Sequence, residues 1–261
     1  MDLGTILGVV SGIVLVLVTI VTGGAGIANY ISVGSFIVVI GGSFAAMLVA
    51  NPLSRMLGIA KYIGIALKTP DWQEEKIISE LVAFSERARR EGLLALEDNL
   101  DEVEDEFMRK GVQLVVDGTD PDIIKSILYH DLSEIQSRHQ TGQKIFDDWG
   151  KIAPAFGMIG TLLGLIQMLV NLGGDQSVIG AGMAIALITT LYGALFANLI
   201  LIPIRSKLED RDKEETRVKE IILEGILSIQ SGDNPRILLE KLVSFLPPGQ
   251  REVLRQESAK D

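Results

Sequence analysis

The stretch 153-APAFGMIGTLLGLIQML-169 decides the fold class of this chain. It contains no charged side chain, one proline at Pro154 and one hydroxyl at Thr161, and it lies within an apolar block from Ile152 to Leu172. A helix of about 20 apolar residues, at a rise of about 1.5 Å per residue, crosses a hydrocarbon core of roughly 30 Å. The stretch therefore predicts a membrane-spanning helix, in which the role of a lone hydroxyl needs an explanation.

Three further apolar blocks of similar length accompany this one: Leu3 to Val21, Ile31 to Ala50, and Val178 to Ile202. Hydrophobic residues make up 48% of the 261 residues and aromatic residues only 5%, which is unlike a soluble domain. No strand pattern and no internal repeat is visible. The sequence predicts an all-α integral membrane protein with four transmembrane helices and a helical cytoplasmic domain.

The basic residues predict the topology. All 24 Lys and Arg lie in residues 51–151 or 204–261, and the short connections between paired spans have none. Because Lys and Arg near spans are retained inside, both long segments and both termini are expected to be cytoplasmic. The expected organisation is then transmembrane helices 1 and 2 in residues 1–50, a cytoplasmic helical domain in 51–151, transmembrane helices 3 and 4 in 152–203, and a cytoplasmic helical tail in 204–261.

The cytoplasmic segments have helical periodicity. One helix is expected to run from Trp72 to a break at Gly92, and a second from Leu93 to Val116. Asp120 is the expected N-cap of a third helix that has no clear stop before the membrane. In the tail, the fourth span is expected to continue past Pro203 as a charged helix. A short helix should follow in NPRILLEKLVSFL, residues 234–246.

Composition excludes several classes of function. A formal net charge of −10 argues against general affinity for nucleic acid. The absence of Cys excludes thiolate metal sites, and no metal-ligand cluster or nucleophile paired with a base is visible. The chain is therefore predicted not to be an enzyme and to need no cofactor.

The spans contain small residues, prolines and hydroxyls but no acid or base. Small residues at four-residue spacing, such as Gly160 and Gly164, mark close helix packing in lipid. A membrane threonine often donates to the carbonyl one turn back, which for Thr161 is that of Gly157. An ion path needs a group that binds the ion, usually a carboxylate. Either these helices conduct nothing, or the carboxylate comes from another polypeptide.

Three stretches resemble the flagellar motor stator subunits of the MotA/PomA type, within the MotA/TolQ/ExbB group: residues 153–169, MAIALITTLYGALFANLILIP (183–203) and RARREGLLALEDNL (87–100). The resemblance covers essentially the whole chain. It implies a bacterial inner-membrane protein that forms a ring of five subunits around two copies of a single-span MotB/PomB-type partner, which supplies the ion-binding Asp. The ring would pass Na⁺ or H⁺, with sodium favoured, and drive the rotor protein FliG.

The resemblance also assigns residues. Pro154 and Pro203 resemble the family's two functional prolines, and Thr161, Thr189 and Thr190 resemble hydroxyls that line the ion path of sodium-driven members. Four cytoplasmic charges resemble those that engage the rotor: Arg89, Arg90, Glu97 and, more distantly, Glu86.

The sequence leaves three other functions open. They are a TolQ/ExbB-like ion-driven energy transducer, a secondary transporter, and a passive membrane scaffold. The lack of inverted repeats and of broken helix pairs argues against the transporter.

Overall fold

The computed structural model describes residues 2–24, 26–173 and 176–257. Within these residues all regular structure is helical, which confirms the all-α prediction. The chain forms two compact units, each built from two separated parts of the sequence. Residues 1–69 and 139–210 make the membrane unit, and residues 70–138 and 211–261 make the charged unit.

Four helices among the described residues are long and apolar enough to cross a membrane, as predicted. The first to fourth spanning helices are Leu3–Thr22, Ile27–Ala50, Pro121–Val170 and Ser177–Ser231. The third is one continuous α-helix of 50 residues. The backbone N–H of Asp122 donates to the Asp120 carboxylate over 2.9 Å, so the predicted cap and the run into the membrane are both confirmed.

The second and fourth spanning helices each contain a π-helical segment. The second consists of a 3-10 turn Ile27–Tyr30, then α Val33–Phe36, π Ile37–Gly41 and α Gly42–Ala50; the fourth consists of α Gln176–Leu195, π Phe196–Leu201 and α Ile202–Ser231. Two short helices, Leu53–Leu57 and Ile59–Leu67, complete the membrane unit. The π segment of the fourth helix ends two residues before Pro203, so the wider turn accommodates the missing N–H of this proline.

The first spanning helix buries almost nothing within this chain. Ile20 is its only buried residue among those described, and Leu3, Leu7 and Leu15 are all at least 66% exposed. A helix with apolar side chains on all sides is stable only where its surroundings are apolar as well. Its surface is suited to lipid or to neighbouring membrane helices.

Trp149 lies at the centre of the membrane-unit core. Its indole N–H donates to the hydroxyl of Ser43 over 2.9 Å, and both residues are buried. The ring contacts Phe44 and Phe196 at centroid distances of 5.8 and 5.3 Å. Trp149 therefore joins the second, third and fourth spanning helices.

The described residues of the charged unit form five further elements: Glu74–Glu91, a 3-10 segment Leu93–Glu102, Glu106–Val116, Pro235–Val243 and Pro248–Glu257. The single helix predicted from Leu93 to Val116 is wrong. Asp105 caps a new helix by accepting from the N–H of Met108 over 2.9 Å, and the chain before it is extended at Val103. Buried side chains from these elements and the two long helices form one core. Its largest fully buried members are Ile78, Leu81, Leu96, Met108, Ile124, Leu128, Ile221 and Ile222.

Candidate functional site

The third and fourth spanning helices contact each other through their backbones. A Cβ added at Gly164 would lie 2.6 Å from the carbonyl oxygen of Gly182 and 2.7 Å from the nitrogen of Ala186. One added at Gly193 would lie 3.0 Å from the carbonyl oxygen of Ala153. Only glycine permits this approach, so the packing predicted from Gly160 and Gly164 is confirmed at these two helices. In the first spanning helix Gly12 lies against Leu199, whereas a Cβ at Gly8 would meet nothing within 4 Å.

This close approach brings two hydroxyls together. The Oγ1 atoms of Thr161 and Thr190 are 2.5 Å apart. Thr161 Oγ1 is 3.1 Å from the carbonyl oxygens of both Gly157 and Ala186, and Thr190 Oγ1 is 3.2 Å from that of Ala186. The bond from Thr161 to Gly157 was expected from sequence, but it is one of several. Four oxygens from two helices form one polar cluster, named here the hydroxyl pair site.

The hydroxyl pair site has more oxygens than protons. Each threonine hydroxyl carries one proton and two lone pairs, while the carbonyls of Gly157 and Ala186 only accept. Because at most two hydrogen bonds can be donated within the cluster, some lone pairs stay without a donor. Thr161 is half-buried and Thr190 exposed, so the hydroxyl lone pairs are accessible, whereas Gly157 and Ala186 are buried. Lone pairs of this kind can coordinate a hard cation.

Thr189 belongs to a different contact. Its hydroxyl donates either to Ser35 Oγ over 2.8 Å or to the Ile185 carbonyl over 2.6 Å, and both Thr189 and Ser35 are 1% exposed. Successive helical residues point about 100° apart, so Thr189 faces the second spanning helix while Thr190 faces Thr161. The structure thus groups two of the three predicted threonines and separates the third.

Both prolines are half-buried in the membrane unit. They lie on the same side of the hydroxyl pair site, because Gly193 packs against Ala153 and Gly150 against Leu201 and Ile202. Pro154 is inside the third spanning helix, where a Cβ at Gly193 would approach its Cα within 3.2 Å. Pro203 follows the π segment of the fourth. Among the described hydrogen bonds of the hydroxyl pair site, none involves either proline.

The predicted rotor charges lie at the end of helix Glu74–Glu91 and in the 3-10 segment after it, all within the charged unit. Glu86, Arg89, Arg90 and Glu97 are all exposed. Arg90 pairs with Glu86 over 3.2 Å. Within the described part of the chain, neither Arg89 nor Glu97 has an ion-pair or side-chain hydrogen-bond partner. The two arginines are in the last helical turn, where the helix dipole favours positive charge.

Arg87, which was not among the predicted site residues, organises this end of the unit. Its guanidinium donates to Asn99 and to Glu91, the latter over 3.2 Å, and approaches Asp98 at 3.5 Å. Gly92 between the two elements has φ 90°, which a side-chain-bearing residue rarely adopts. The signal available in the sequence was the spacing of Arg87 four residues before Glu91, which suits an ion pair on one helix face. Arg87 therefore holds the 3-10 segment against the helix that carries Arg89 and Arg90.

The spans contain no Asp, Glu, Lys, Arg or His between residues 3 and 50 or between residues 152 and 202, except Asp175, which lies outside the described residues. Among the described residues, no three His, Cys, Asp or Glu are grouped as a metal site requires. The hydroxyl pair site thus offers neutral oxygens only.

Comparison with known proteins identifies the family. Residues 99–221 match the MotA/TolQ/ExbB proton channel family. Motility protein A of Borreliella burgdorferi is 44% identical over 97% of each chain. The chemotaxis protein PomA of Vibrio alginolyticus is 39% identical over 96% of this chain and 98% of its own. The chain belongs to the MotA/PomA type of this family.

Solved structures of this type have the same fold. The structure of C. jejuni MotAB superposes with a TM-score of 0.87 at 27% identity and covers 95% of this chain and 97% of its own. The flagellar MotAB stator complex from Bacillus subtilis also gives 0.87, at 28% identity, and covers 94% and 96%. The predicted relationship to flagellar motor stator subunits is confirmed. Homologues of the MotA/PomA type are motor stator proton channel subunits and not enzymes, in agreement with the sequence analysis.

Proposed function

We propose that this stator subunit forms, with a single-span MotB/PomB-type partner, a cation channel that converts ion flow into torque on the rotor. The two solved structures described above are of MotAB, which supports such a partner and an oligomeric assembly. The assembly proposed is a ring of five copies. One observation supports the proposal most directly. The hydroxyl pair site presents neutral oxygens where glycines let the third and fourth spanning helices approach closely, in spans whose described residues include no carboxylate.

The transported ion in this proposal is Na⁺, with H⁺ as the other possibility. A sodium ion that leaves water needs replacement oxygens, whereas a proton needs only an acceptor or a chain of waters. The hydroxyls of Thr161 and Thr190 would supply such oxygens, and a carboxylate of the partner would supply the charge. Neutral oxygens alone leave a cation uncompensated in a low-dielectric medium, so the partner is essential.

The test replaces each hydroxyl by a methyl group of similar size. Thr161→Val and Thr190→Val should raise the sodium concentration needed for half-maximal rotation by about tenfold, equivalent to roughly 1.4 kcal/mol. Thr189→Val is the matched control, since its hydroxyl bonds Ser35 on another face. Rotation is measured against sodium at fixed membrane potential and normalised to assembled complex. If the wild-type rotation rate depends on pH but not on sodium concentration, the transported ion is H⁺.

The rotor surface, defined as Arg89, Arg90 and Glu97, is proposed to contact the rotor protein FliG. Exposed charges steer and orient a transient complex more than they tighten it. Arg89→Glu is the informative change, because reversal of Arg90 would also break its pair with Glu86. Arg89→Glu should impair swimming at unchanged membrane abundance, and a compensating charge on the rotor should restore part of it. Arg236→Glu, at an exposed position in the same unit, is the control and should swim normally.

The proposed location is the bacterial inner membrane, with both termini and the charged unit in the cytoplasm. Single cysteines at Gly26 and Ser177 should then react with an impermeant thiol reagent in intact cells. One at the exposed Asp101 should react only after the cells are opened. Labelling of the Asp101 cysteine from outside would overturn this topology.

A further inference from the structure

Leu94 is an exposed apolar side chain that lies in the sequence between Arg90 and Glu97 of the rotor surface. It is 72% exposed, the highest value for a large apolar side chain among the described residues of the charged unit. The other such side chains there, Ile123, Tyr129 and Ile237, are 51–56% exposed. Single exposed leucines are common on proteins, so exposure alone assigns no role. The burial, conformation and charges of the residues near Leu94 indicate its role.

The leucines of the 3-10 segment Leu93–Glu102 differ in burial. Leu96 is fully buried and Leu100 is 8% exposed, so these two hold the segment on the core. Leu94 and Glu97 are both exposed, and side chains three residues apart are aligned in a 3-10 helix, so these two share one face at the start of the segment. The alignment does not extend to Leu100, which is buried. Leu94 is thus presented to solvent beside a charge, while its neighbours in sequence stabilise the segment beneath it.

The position of Leu94 is held by rigid features. Gly92, with φ 90°, ends the preceding helix and sets the direction of the chain. Arg87 bonds Asn99 within the 3-10 segment and Glu91 within the helix. A side chain presented on a constrained segment loses little entropy when it binds, so it can contribute more of its burial to affinity.

The charges around Leu94 indicate the chemistry of its partner. Arg89 and Arg90 precede it by five and four residues, Glu97 follows by three, and all three are exposed. Well-packed protein contacts combine a desolvated apolar centre with a polar rim. We propose that Leu94 is the apolar anchor of the rotor contact and inserts into an apolar pocket of the rotor protein. That pocket is flanked by carboxylate on the arginine side and by a cationic side chain on the Glu97 side.

This inference rests on the proposed rotor contact and predicts a distinct dependence on salt. Contacts between charges are screened by salt, whereas burial of a leucine is not weakened by it. Loss of Leu94 should therefore weaken binding equally at low and high ionic strength, chiefly through faster dissociation. Loss of the Arg89 charge should weaken binding most at low ionic strength, chiefly through slower association.

The experiment measures binding of purified rotor protein to the complete stator complex in lipid nanodiscs, per assembled complex, at low and high salt. Leu94→Ala should lower the affinity about tenfold at both salt concentrations. Leu94→Met, which keeps the apolar volume, should restore most of it, and Ile237→Ala, at another exposed apolar position of the charged unit, should have no effect.

The outcomes separate the two claims. If Leu94→Ala binds as wild type while Arg89→Glu does not bind, the anchor is overturned and the rotor contact stands. If Ile237→Ala weakens binding as much as Leu94→Ala, the anchor is also overturned. If Leu94→Ala and Arg89→Glu both bind as wild type, the proposed contact between the rotor surface and the rotor protein is overturned as well.

Discussion

Substitution of Gly164 by alanine should separate the third and fourth spanning helices. The added Cβ would lie 2.6 Å from the Gly182 carbonyl oxygen and 2.7 Å from the Ala186 nitrogen, and ordinary contact begins at 3.4 Å. Both neighbours are backbone atoms, which cannot rotate away as a flexible side chain would. Relief therefore needs a local movement of about 0.8 Å between the helix axes.

Such overpacking typically costs about 1–3 kcal/mol. The same movement would stretch the 3.1 Å contact between Thr161 Oγ1 and the Ala186 carbonyl beyond hydrogen-bond range. Gly164→Ala should therefore lower both the thermal stability of the detergent-solubilised complex and the rate of ion-driven rotation per complex.

Gly180→Ala is the matched control on the fourth spanning helix, because a Cβ there meets nothing within 4 Å. It should be neutral or slightly stabilising, since alanine is favoured over glycine in a helix by about 0.5–1 kcal/mol. Equal thermal stability of Gly164→Ala and Gly180→Ala would refute the backbone contact on which the hydroxyl pair site depends.

Three further changes test other contacts. Ser43→Ala should destabilise the complex by about 1–3 kcal/mol in thermal unfolding, because it leaves the buried indole N–H of Trp149 without an acceptor. In the double variant with Trp149→Phe this hydrogen bond is already absent, so the two losses of stability should not add. The ammonium of Lys207, 2.5 Å from Asp2, lowers the pKa of this carboxyl from 3.8 to about 2. Because the pKa is lowered in the folded protein, the ion pair between Asp2 and Lys207 should stabilise the fold fully above pH 4 and lose this effect as the pH falls to about 2. The difference in unfolding temperature between wild type and Asp2→Asn should therefore vanish over that range. Arg87→Ala should speed amide exchange in the 3-10 segment of the rotor surface, and unchanged exchange would show that Arg87 does not hold it.

Much of the membrane architecture was predictable because it depends on local composition. Apolar length alone indicates four spans, and the cap at Asp120 with Pro121 after it indicates where the third spanning helix begins. The break between Leu93 and Val116 was missed, because Asp105 lies in an acidic run where its capping role resembles an ordinary surface charge. Local propensity does not tell a cap from a solvated face when several acids stand side by side.

The sequence by itself determined that the chain is helical, that it spans a membrane, and that its spans lack any described acid or base. It also predicted that small residues would form close contacts, and they do at Gly164 and Gly193. Only the tertiary structure decided that Thr190 meets Thr161 whereas Thr189 meets Ser35, 154 positions away in the chain. Helical periodicity puts neighbouring threonines on different faces, but which face meets which neighbour depends on how distant segments pack.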